Sequence, residues 1–390
     1  MLKRKDSVQE RRVSAQATAN VVIVAPMLAR YDAISAAARD TYRMLSAHPA
    51  WDVRVLTLRN DFADVPASIV SDVADLLTHP AYLAADILIY HFGMFNELIN
   101  ALLVGNGHAR QIVHFHNITP ARYVARTHWR VIEDSFRQIA NLQCADEVWA
   151  VSVVNRDELE QRGIDPARIR VIPLAVDAPP FSTLRDKTTQ QLELMFLGRI
   201  VASKGVLDLV QAVDLLRQSA PAPFRLRLAG NLEWSDQDYV RQVQRFVRER
   251  QLDDVVEFCG TVTDAERERL YREAHIFAIP SYHEGFCVPV LEALRSGCVP
   301  VGYAAYNLPY IANGFGRLVP PGDVQALAGA LSEVLASVAR ARSSPDAPLP
   351  LDRGPTSARE FEAATRDYAL GFTFERLSAL TRDRVQALLV

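Results

Sequence analysis

Two successive series of short apolar runs, each alternating with longer segments of helical pattern, constrain the fold of this chain more than any other feature. The runs are apolar at nearly every position, which is typical of strands whose two faces are both buried. Such strands alternating with helices are typical of parallel sheets covered by helices. We therefore predict an α/β fold with two doubly wound parallel sheets. The runs of the first series are residues 21–26, 52–58, 86–93, 111–117, 147–152 and 169–176, and those of the second are residues 192–200, 225–231, 255–260, 276–281, 298–303 and 316–321.

A chain of 390 residues exceeds the usual size of one hydrophobic core, so two domains are expected, with ligands bound in the cleft between them. Between the two series, residues 177–191 are rich in Pro, Ser, Thr and charge and are predicted to form a linker. We place the first domain at residues 1–180 and the second at 190–371. Residues 342–357 are predicted to form a Pro-rich loop, and residues 372–390 a final amphipathic helix.

Composition excludes several classes of protein. The net charge of −3 lacks the basic excess of a dedicated nucleic-acid binder. The four cysteines form no C-x-x-C pair, so neither a structural zinc site nor a disulfide framework is predicted. The charged start of the chain lacks the apolar core of a signal peptide, and no stretch reaches about 18 consecutive apolar residues. We expect a cytoplasmic protein.

Two glutamates stand around the start of a predicted helix. Glu284 follows the apolar run 276–281, and Glu292 falls in the first turn of a helix that we expect to begin at Pro289. Loops at the carboxyl edge of a parallel sheet bind ligands, and free N–H groups at a helix start favour phosphate or sugar hydroxyls. Taken alone, each glutamate is better explained as an ordinary acid, Glu284 as a solvated residue of the loop and Glu292 as a complement to the helix dipole.

A second polar loop follows the run 192–200. Gly198, Arg199, Lys204 and Gly205 place two cations and two flexible backbone positions between a strand and a helix. The cations could hold a diphosphate and stabilise it as a leaving group. Arg and Lys are also common in loops without any such role.

His114 and His116 are two apart on one strand and share a face. No third ligand stands at a convincing spacing in the sequence, so a single histidine meeting the substrate is preferred to a metal site. Asp32 either caps the first helix or reaches the cleft, and Asp236 is interpreted as a helix cap. No G-x-G-x-x-G follows the first strand, so a dinucleotide cofactor is not indicated.

Together these motifs resemble the retaining nucleotide-sugar glycosyltransferases of family 4, the group 1 enzymes with two Rossmann-like domains in the GT-B arrangement. The resemblance rests on "EGF" and Glu292, on "GRIVASKG", on "VPPGD" and on "HFHN". It implies that the last helix packs back on the first domain, on the acceptor side, and that the second domain binds the donor. It also implies that no cofactor and no metal is needed.

The resemblance implies a role for each residue of this chain that matches a functional position of the family's motifs. Glu284 corresponds to an acid at the hydroxyls of the donor sugar, and Glu292 to an acid at the ribose. Arg199 and Lys204 correspond to the pair at the diphosphate, and His116 to a histidine near the anomeric carbon. His116, Glu284, Arg199 and Lys204 are the predicted catalytic residues. The remaining predicted donor-binding residues are Gly198, Gly285, Phe286, Cys287 and Val288, and the predicted acceptor-side residues are Tyr31, Asp32 and Asn117.

The resemblance implies transfer of a sugar, with retention, to a glycan or a lipid-linked glycan in bacterial polysaccharide assembly. GDP-mannose is preferred to UDP-sugars as the donor. Cys287 stands where the family often has Gly, which affects donor choice. With no convincing covalent nucleophile, transfer is expected on the front face of the sugar, the departing phosphate taking the acceptor proton.

Three other functions share this architecture: a nucleotide-sugar epimerase, a sugar phosphorylase, which usually needs pyridoxal phosphate and a longer chain, and an inactive sugar-nucleotide-binding scaffold. Residues 122–138 combine four Arg with Tyr, Trp and Phe, so peripheral contact with an anionic membrane is one interpretation. A solvated helix that packs its aromatic residues inward is the other.

Overall fold

The computed structural model describes residues 19–176, 180–232 and 235–389. Two parallel sheets, of seven and six strands, confirm the predicted α/β architecture. The strands of the first sheet are β1 Ala19–Val24, β2 Trp51–Thr57, β3 Ala67–Ile69, β4 Ile87–Phe92, β5 Arg110–Phe115, β6 Glu147–Ala150 and β7 Ile169–Val171, and those of the second are β8 Leu192–Leu197, β9 Phe224–Ala229, β10 Val256–Gly260, β11 Ile276–Ile279, β12 Val299–Tyr303 and β13 Arg317–Val319.

Helices connect and cover these strands. The first domain, formed around the seven-stranded sheet, carries α1 to α5, and the second domain, around the six-stranded sheet, carries α6 to α12. Among the helices of the described residues, none is long and apolar enough to cross a membrane. The helices are α1 Ala33–Ser46, α2 Val73–Thr78, α3 Pro80–Leu83, α4 Trp129–Gln138, α5 Val153–Gln161, α6 Val206–Arg217, α7 Gln237–Glu249, α8 Asp264–Glu273, α9 Val288–Arg295, α10 Leu308–Ala312, α11 Val324–Ala341, α12 Ala358–Ala369 and α13 Phe374–Leu388.

The order of the strands locates the binding edge of each sheet. The first sheet runs β3-β2-β1-β4-β5-β6-β7 and the second β10-β9-β8-β11-β12-β13. In each sheet the chain order reverses beside the first long strand, between β1 and β4 and between β8 and β11. Crevices at such reversal points, at the carboxyl ends of the strands, are where open α/β sheets bind ligands. The loops after β4, β5, β8 and β11 therefore hold the candidate site.

Continuous apolar runs form these strands because both faces of each sheet are buried. In β4 every residue is buried, and alternate side chains enter different cores: Leu88 and Tyr90 one, Ile87 and Ile89 the other. A period of two places successive residues on opposite faces, so a strand between two layers of helices must be apolar throughout.

All twelve predicted strands are present, but two features were missed. β3 is a three-residue edge strand whose residues are partly or fully exposed, so no apolar run marks it. The predicted loop 342–357 instead contains a hairpin of β14 Pro348–Leu351 and β15 Gly354–Ser357. Leu349 and Leu351 are buried on one side of it, an alternation that the neighbouring prolines obscure.

Two segments join the domains. Residues 177–179 of the predicted linker lie outside the described residues, and the rest of it contacts the second domain: Ser182 Oγ and Lys187 Nζ both donate to the carbonyl of Ser296, at 2.9 and 2.7 Å. Helix α13 packs against α1, and its Val385 is buried in the core of the first domain. The chain therefore returns to the first domain at its end.

One ionic contact fixes that returning helix. The carboxylate of Glu147, at the start of β6, is 2% exposed and accepts from Nε of Arg384 at 2.8 Å and from the indole of Trp149 at 3.0 Å. Arg170 lies 3.2 Å from the same carboxylate. A buried carboxylate needs such partners, since removing a partner leaves its charge uncompensated.

Replacing Arg384 with alanine is therefore expected to lower the free energy of unfolding by about 1–3 kcal/mol, with Arg170 compensating part of the loss. Urea unfolding followed by circular dichroism measures the change. Arg376→Ala, on an exposed position of the same helix, is the control and should change the value by less than about 0.5 kcal/mol. Equal effects of the two substitutions would contradict the role given to Glu147.

Candidate active site

The loop after β8 meets the loop after β11 because Gly205 permits it. Gly205 has φ +64°, and a Cβ on it would lie 2.1 Å from the carbonyl oxygen of Pro280. No side chain fits there, and the left-handed backbone itself favours glycine. This contact brings Lys204, next to Gly205, to the loop that carries Glu284.

Lys204 and Glu284 form an ion pair, with 2.6 Å between Nζ and Oε1. The side chains are 23% and 9% exposed. The sequence placed both residues in donor-binding loops but did not indicate that they touch. Because the pair is largely shielded from water, its interaction is much stronger than that of a surface pair. An anion entering this edge would find a cation already held in position.

Arg199 is placed differently. It is exposed and lines a cleft of about 380 Å³ between the domains, with Tyr123 and His128 from the first domain and Ser203 and Asp236 from the second. Asp236 accepts from the backbone N–H groups at the start of α7, as the capping interpretation predicted. Arg199 thus faces the cleft without joining the ion pair of Lys204 and Glu284.

Glu292 is not in the first turn of its helix, so that expectation was wrong. Helix α9 begins at Val288, one residue before Pro289, and Glu292 is its fifth residue. The carboxylate is buried and accepts from the hydroxyl of Tyr271 at 2.8 Å, with a guanidinium nitrogen of Arg267 at 3.6 Å. Burial raises the pKa of Glu292, and Arg267 and Tyr271 oppose the rise. The residue is therefore a buried, oriented acid rather than a solvated one.

Cys287 adopts a backbone conformation that favours glycine. It has φ 76° and ψ 64° and is buried immediately before α9. An L-residue in this region costs on the order of 1 kcal/mol or more, so the surrounding loop must hold it. The side-chain amide of Asn307 does so by donating to the carbonyl of Phe286 at 2.9 Å. Burial, reinforced by nearby Glu284, raises the pKa of the Cys287 thiol well above its usual range.

Iodoacetamide at pH 8 is therefore expected to modify Cys287 at least about 100-fold more slowly than the exposed Cys144, because the thiolate is the nucleophile and this thiol stays protonated and covered. Peptide mass spectrometry over time gives both rates. In urea the two rates should converge. Equal rates in the native protein would show that the loop opens readily or that the thiol ionises.

The two domains are in contact through the loop after β5 and the loop after β11. A Cβ on Gly285 would lie 2.6 Å from Cβ of Asn117 and 2.8 Å from the carbonyl oxygen of His116. The side-chain amide of Asn117 lies 2.8 Å from Nε2 of His283, and Asn117 itself has φ 89°. The structure thus brings the predicted residues His116, Asn117, Glu284 and Gly285 together in a closed cleft.

Aromatic contacts extend this closed interface. Tyr123 of the first domain stacks on Tyr282, with ring centroids 5.6 Å apart, and the hydroxyl of Tyr306 donates to Glu158 of α5. Tyr282 also donates to Asp208 at 2.5 Å, which anchors it within the second domain. Sequence reasoning missed these residues because no motif marks them; only packing between distant loops brings them together.

A third histidine joins the two that the sequence singled out. His91 of β4 is paired in register with His114 of β5, and its Nδ1 lies 2.8 Å from Nε2 of His116. His91 is distant from His114 and His116 in the sequence, so spacing along the chain did not indicate that it lies beside them. Burial lowers the pKa of His91 and His116 well below the usual value and that of His114 to about 4, so all three are neutral at pH 7.

The predicted acceptor-side residues lie at the start of α1. Asp32 accepts from the backbone N–H of Ser35 at 2.8 Å and from its hydroxyl at 2.7 Å, which is the capping alternative. Tyr31 has φ 65° and is 63% exposed. Tyr31 is therefore available for contact, whereas Asp32 is engaged in the helix cap.

Comparison with known proteins gives two family matches. Residues 48–178 match a model described as Glycosyltransferase Family 4, and residues 183–344 match one described as Glycosyl transferases group 1. The chain is 28% identical over 239 residues to the O-antigen chain mannosyltransferase B of Escherichia coli, covering 58% of this chain and 61% of that protein. It is 30% identical over 184 residues to the MMP alpha-(1->4)-mannosyltransferase of Mycolicibacterium hassiacum, covering 46% and 43%. The matches thus span about three fifths or less of these relatives.

Solved structures agree in fold. Sucrose-phosphate synthase from Thermosynechococcus elongatus superposes with a TM-score of 0.72 at 20% identity, covering 95% of this chain and 99% of that one. Anabaena Alr3699/HepE in complex with UDP and glucose also gives 0.72, at 15% identity, covering 94% and 99%. The two family models follow each other along the two sheets and together account for most of residues 48–344. The chain belongs to the group 1 glycosyltransferases and has the GT-B fold.

Proposed function

We propose that this glycosyltransferase moves a sugar from a nucleotide diphosphate sugar to a glycan or lipid-linked glycan, with retention of configuration and without a catalytic metal. The observation that carries the proposal is the ion pair of Lys204 and Glu284 at the reversal point of the second sheet. It supplies a cation for the diphosphate and a carboxylate for the sugar hydroxyls at one edge, within reach of the first domain. Arg199, facing the cleft between the domains, is the second cation.

The proposed reaction breaks the bond between the anomeric carbon and the diphosphate oxygen, while the acceptor oxygen bonds to the same carbon on the same face. The acceptor proton passes to a phosphate oxygen of the leaving group. Lys204 and Arg199 stabilise the negative charge that develops there. Both carboxylates at the site already have partners: Glu284 pairs with Lys204, and Glu292 accepts a hydrogen bond from Tyr271. These contacts favour orienting roles for the two glutamates over covalent attack on the sugar.

In this proposal His116, at the closed interface, meets the sugar near its anomeric carbon, and Glu292 orients the ribose. Backbone groups of the loop 285–288 complete the donor site, and Gly198 allows the donor to approach the loop after β8. The acceptor enters from the first domain, past Tyr31, Asp32 and Asn117. The contact of Gly285 and His283 with Asn117 supports this division, since it brings the loops after β5 and β11 together at the carboxyl edges of the two sheets.

We prefer GDP-mannose as donor and bacterial surface polysaccharide as product. The names of two relatives, an O-antigen chain mannosyltransferase and a mannosyltransferase of Mycolicibacterium, support mannose. The complex of Alr3699/HepE with UDP and glucose supports a UDP-sugar instead. Cys287 stands where the family often has Gly and adds a side chain near Glu284. It is therefore the residue of this chain most able to shift the choice between a GDP-sugar and a UDP-sugar.

A donor panel tests the proposal. GDP-mannose, UDP-glucose and UDP-galactose are each added to the chelator-treated protein, and the rise in melting temperature and the hydrolysis of donor are measured, because a ligand selective for the native state stabilises it. The expected result is a response to GDP-mannose and, when a glycan acceptor is also added, an α-linked product by proton NMR. An epimerised donor without transfer would favour an epimerase, binding without turnover would favour a scaffold, and activity that requires added metal would overturn the metal-independent mechanism.

We also propose contact with an anionic membrane through part of residues 122–138. Trp129 is 40% exposed, and the guanidinium of Arg126 lies 5.5 Å from its ring centroid. Phe136 packs inward and Tyr123 stacks on Tyr282, so only the start of α4 fits a membrane interface. Flotation with phosphatidylglycerol vesicles should be lost in Arg126→Ala/Trp129→Ala and kept in Arg217→Ala. Flotation unaffected by the double substitution would remove the idea.

A further inference from the structure

We propose that His91, His114 and His116 form a binding site for one divalent transition-metal ion of the zinc class. His91 and His114 occupy paired positions on the adjacent parallel strands β4 and β5, and His116 follows two residues after His114 on the same side. The fold thus holds three imidazoles on two elements of the rigid central sheet, just below the edge where the domains meet.

The distances are compatible with a single ion. One ring nitrogen from each histidine can be chosen so that all three lie within 4.8 Å of one another. The ring centroids are 5.1, 5.1 and 4.4 Å apart. A zinc–nitrogen bond is about 2.0–2.1 Å, so nitrogens on a tetrahedral ion are about 3.4 Å apart. Side-chain rotations that move each nitrogen by about 1 Å would complete the site.

Unpaired nitrogens are the second observation. Nε2 of His91 and both ring nitrogens of His114 are buried without a hydrogen bond of normal geometry. The backbone of Ile172 lies near enough to His114 to oppose the fall in its pKa. Since the N–H of Ile172 already donates to Ala150, its carbonyl is the group that would orient His114. Buried polar atoms without partners are costly, and an ion that takes one nitrogen from each histidine would satisfy one of the two ring nitrogens of His114.

The chemistry of the ligands selects the class of ion. Three neutral imidazoles suit Zn²⁺, Co²⁺, Ni²⁺ or Cu²⁺, whereas Mg²⁺ and Ca²⁺ require oxygen ligands. His91 and His114 are buried, and His116 is half-buried. An ion would therefore enter past His116, and its fourth position would face the cleft and hold water.

Occupation of the site has a consequence for transfer, and this consequence rests on the proposed function. Nε2 of His116 now lies 2.8 Å from His91, and a metal ion would replace that hydrogen bond by two coordinate bonds. His116 would then be held away from the donor sugar. The site would make the enzyme sensitive to inhibition by zinc, although the transfer itself uses no metal.

Binding is tested without reference to activity. The full chain is treated with chelator, dialysed and titrated with Zn²⁺ by calorimetry and with Co²⁺ by visible absorption. We expect one equivalent per chain and the absorption of tetrahedral Co²⁺. His91→Gln and His114→Gln should each weaken binding by at least about 10-fold, and His108→Gln, at an exposed position of the same domain, should leave it unchanged. Far-UV circular dichroism of the metal-free variants checks that they fold.

Binding of less than about one fifth of an equivalent, or equal affinities in the wild type and both folded variants, would overturn the site. The effect of zinc on transfer is measured in a separate experiment. Zinc should inhibit transfer by wild-type and His108→Gln protein, and chelator should restore it. Binding with the expected variant dependence but without inhibition would keep the metal site and remove His116 from the proposed mechanism.

Discussion

Replacing Lys204 with alanine is expected to reduce kcat of transfer by at least about 100-fold, the largest loss from any single charge at this site. Its ammonium is held 2.6 Å from Glu284 at the reversal point of the second sheet. A fixed cation in a site with little water stabilises a departing diphosphate far more than an exposed one. Product formation from a saturating nucleotide sugar, followed by chromatography, measures the loss.

The substitution should also lower the stability of the protein, and this effect must be separated from the loss of transfer. Without Lys204 the nearly buried carboxylate of Glu284 has lost its cation, so the protein should also lose about 1–3 kcal/mol of stability. Lys204→Ala/Glu284→Gln removes that unpaired charge and should recover stability but not transfer. Arg217→Ala, which removes an exposed cation of the same domain, should leave kcat within about twofold of the wild type. Transfer at the wild-type rate by folded Lys204→Ala would refute the charge assignment.

The sequence was sufficient to predict the two sheets because each buried strand is an uninterrupted apolar run, as β4 shows. It was insufficient where burial is partial. β3 has no apolar run, and the hairpin of β14 and β15 combines two buried leucines with prolines that are typical of loops. Partial burial leaves a weaker pattern, which turn residues readily obscure.

For the candidate site, the sequence indicated the correct loops but not the contacts between them. The polar residues that follow the strands of a parallel sheet all lie at its carboxyl edge. For this reason Lys204, Glu284 and His116 could be singled out from the sequence. Their partners depend on strand register and on loop packing. His91 adjoins His116 only because β4 and β5 pair in one register, and Lys204 meets Glu284 only because Gly205 fits against Pro280.

Replacing Gly285 with alanine tests whether the closed cleft is the active arrangement. Gly285 does not have a left-handed backbone, so alanine suits its conformation, but the added Cβ would lie 2.6 Å from Asn117 and 2.8 Å from the carbonyl oxygen of His116. The two domains must then move apart locally. A displacement of about 1 Å at a reacting centre can cost 100-fold in rate, and we expect a fall in kcat of at least that order.

Donor binding should separate the two explanations for such a loss, since the predicted donor site lies in the second domain and the obstruction lies against the first. We expect Gly285→Ala to bind nucleotide sugar within about fivefold of the wild type while its transfer is lost, because the added Cβ meets Asn117 and His116 and leaves the backbone groups proposed to bind the donor in place. Gly329→Ala is the matched control: this glycine lies within α11, and apart from its chain neighbours and the backbone of its own helix no atom lies within 4 Å of an added Cβ, so activity should be unchanged. Small-angle scattering should show a larger radius of gyration for Gly285→Ala than for Gly329→Ala in the presence of donor. If Gly285→Ala transfers sugar at the wild-type rate, catalysis takes place with the loops after β5 and β11 further apart than in the structure. His116 could then not be placed beside Glu284 in the mechanism.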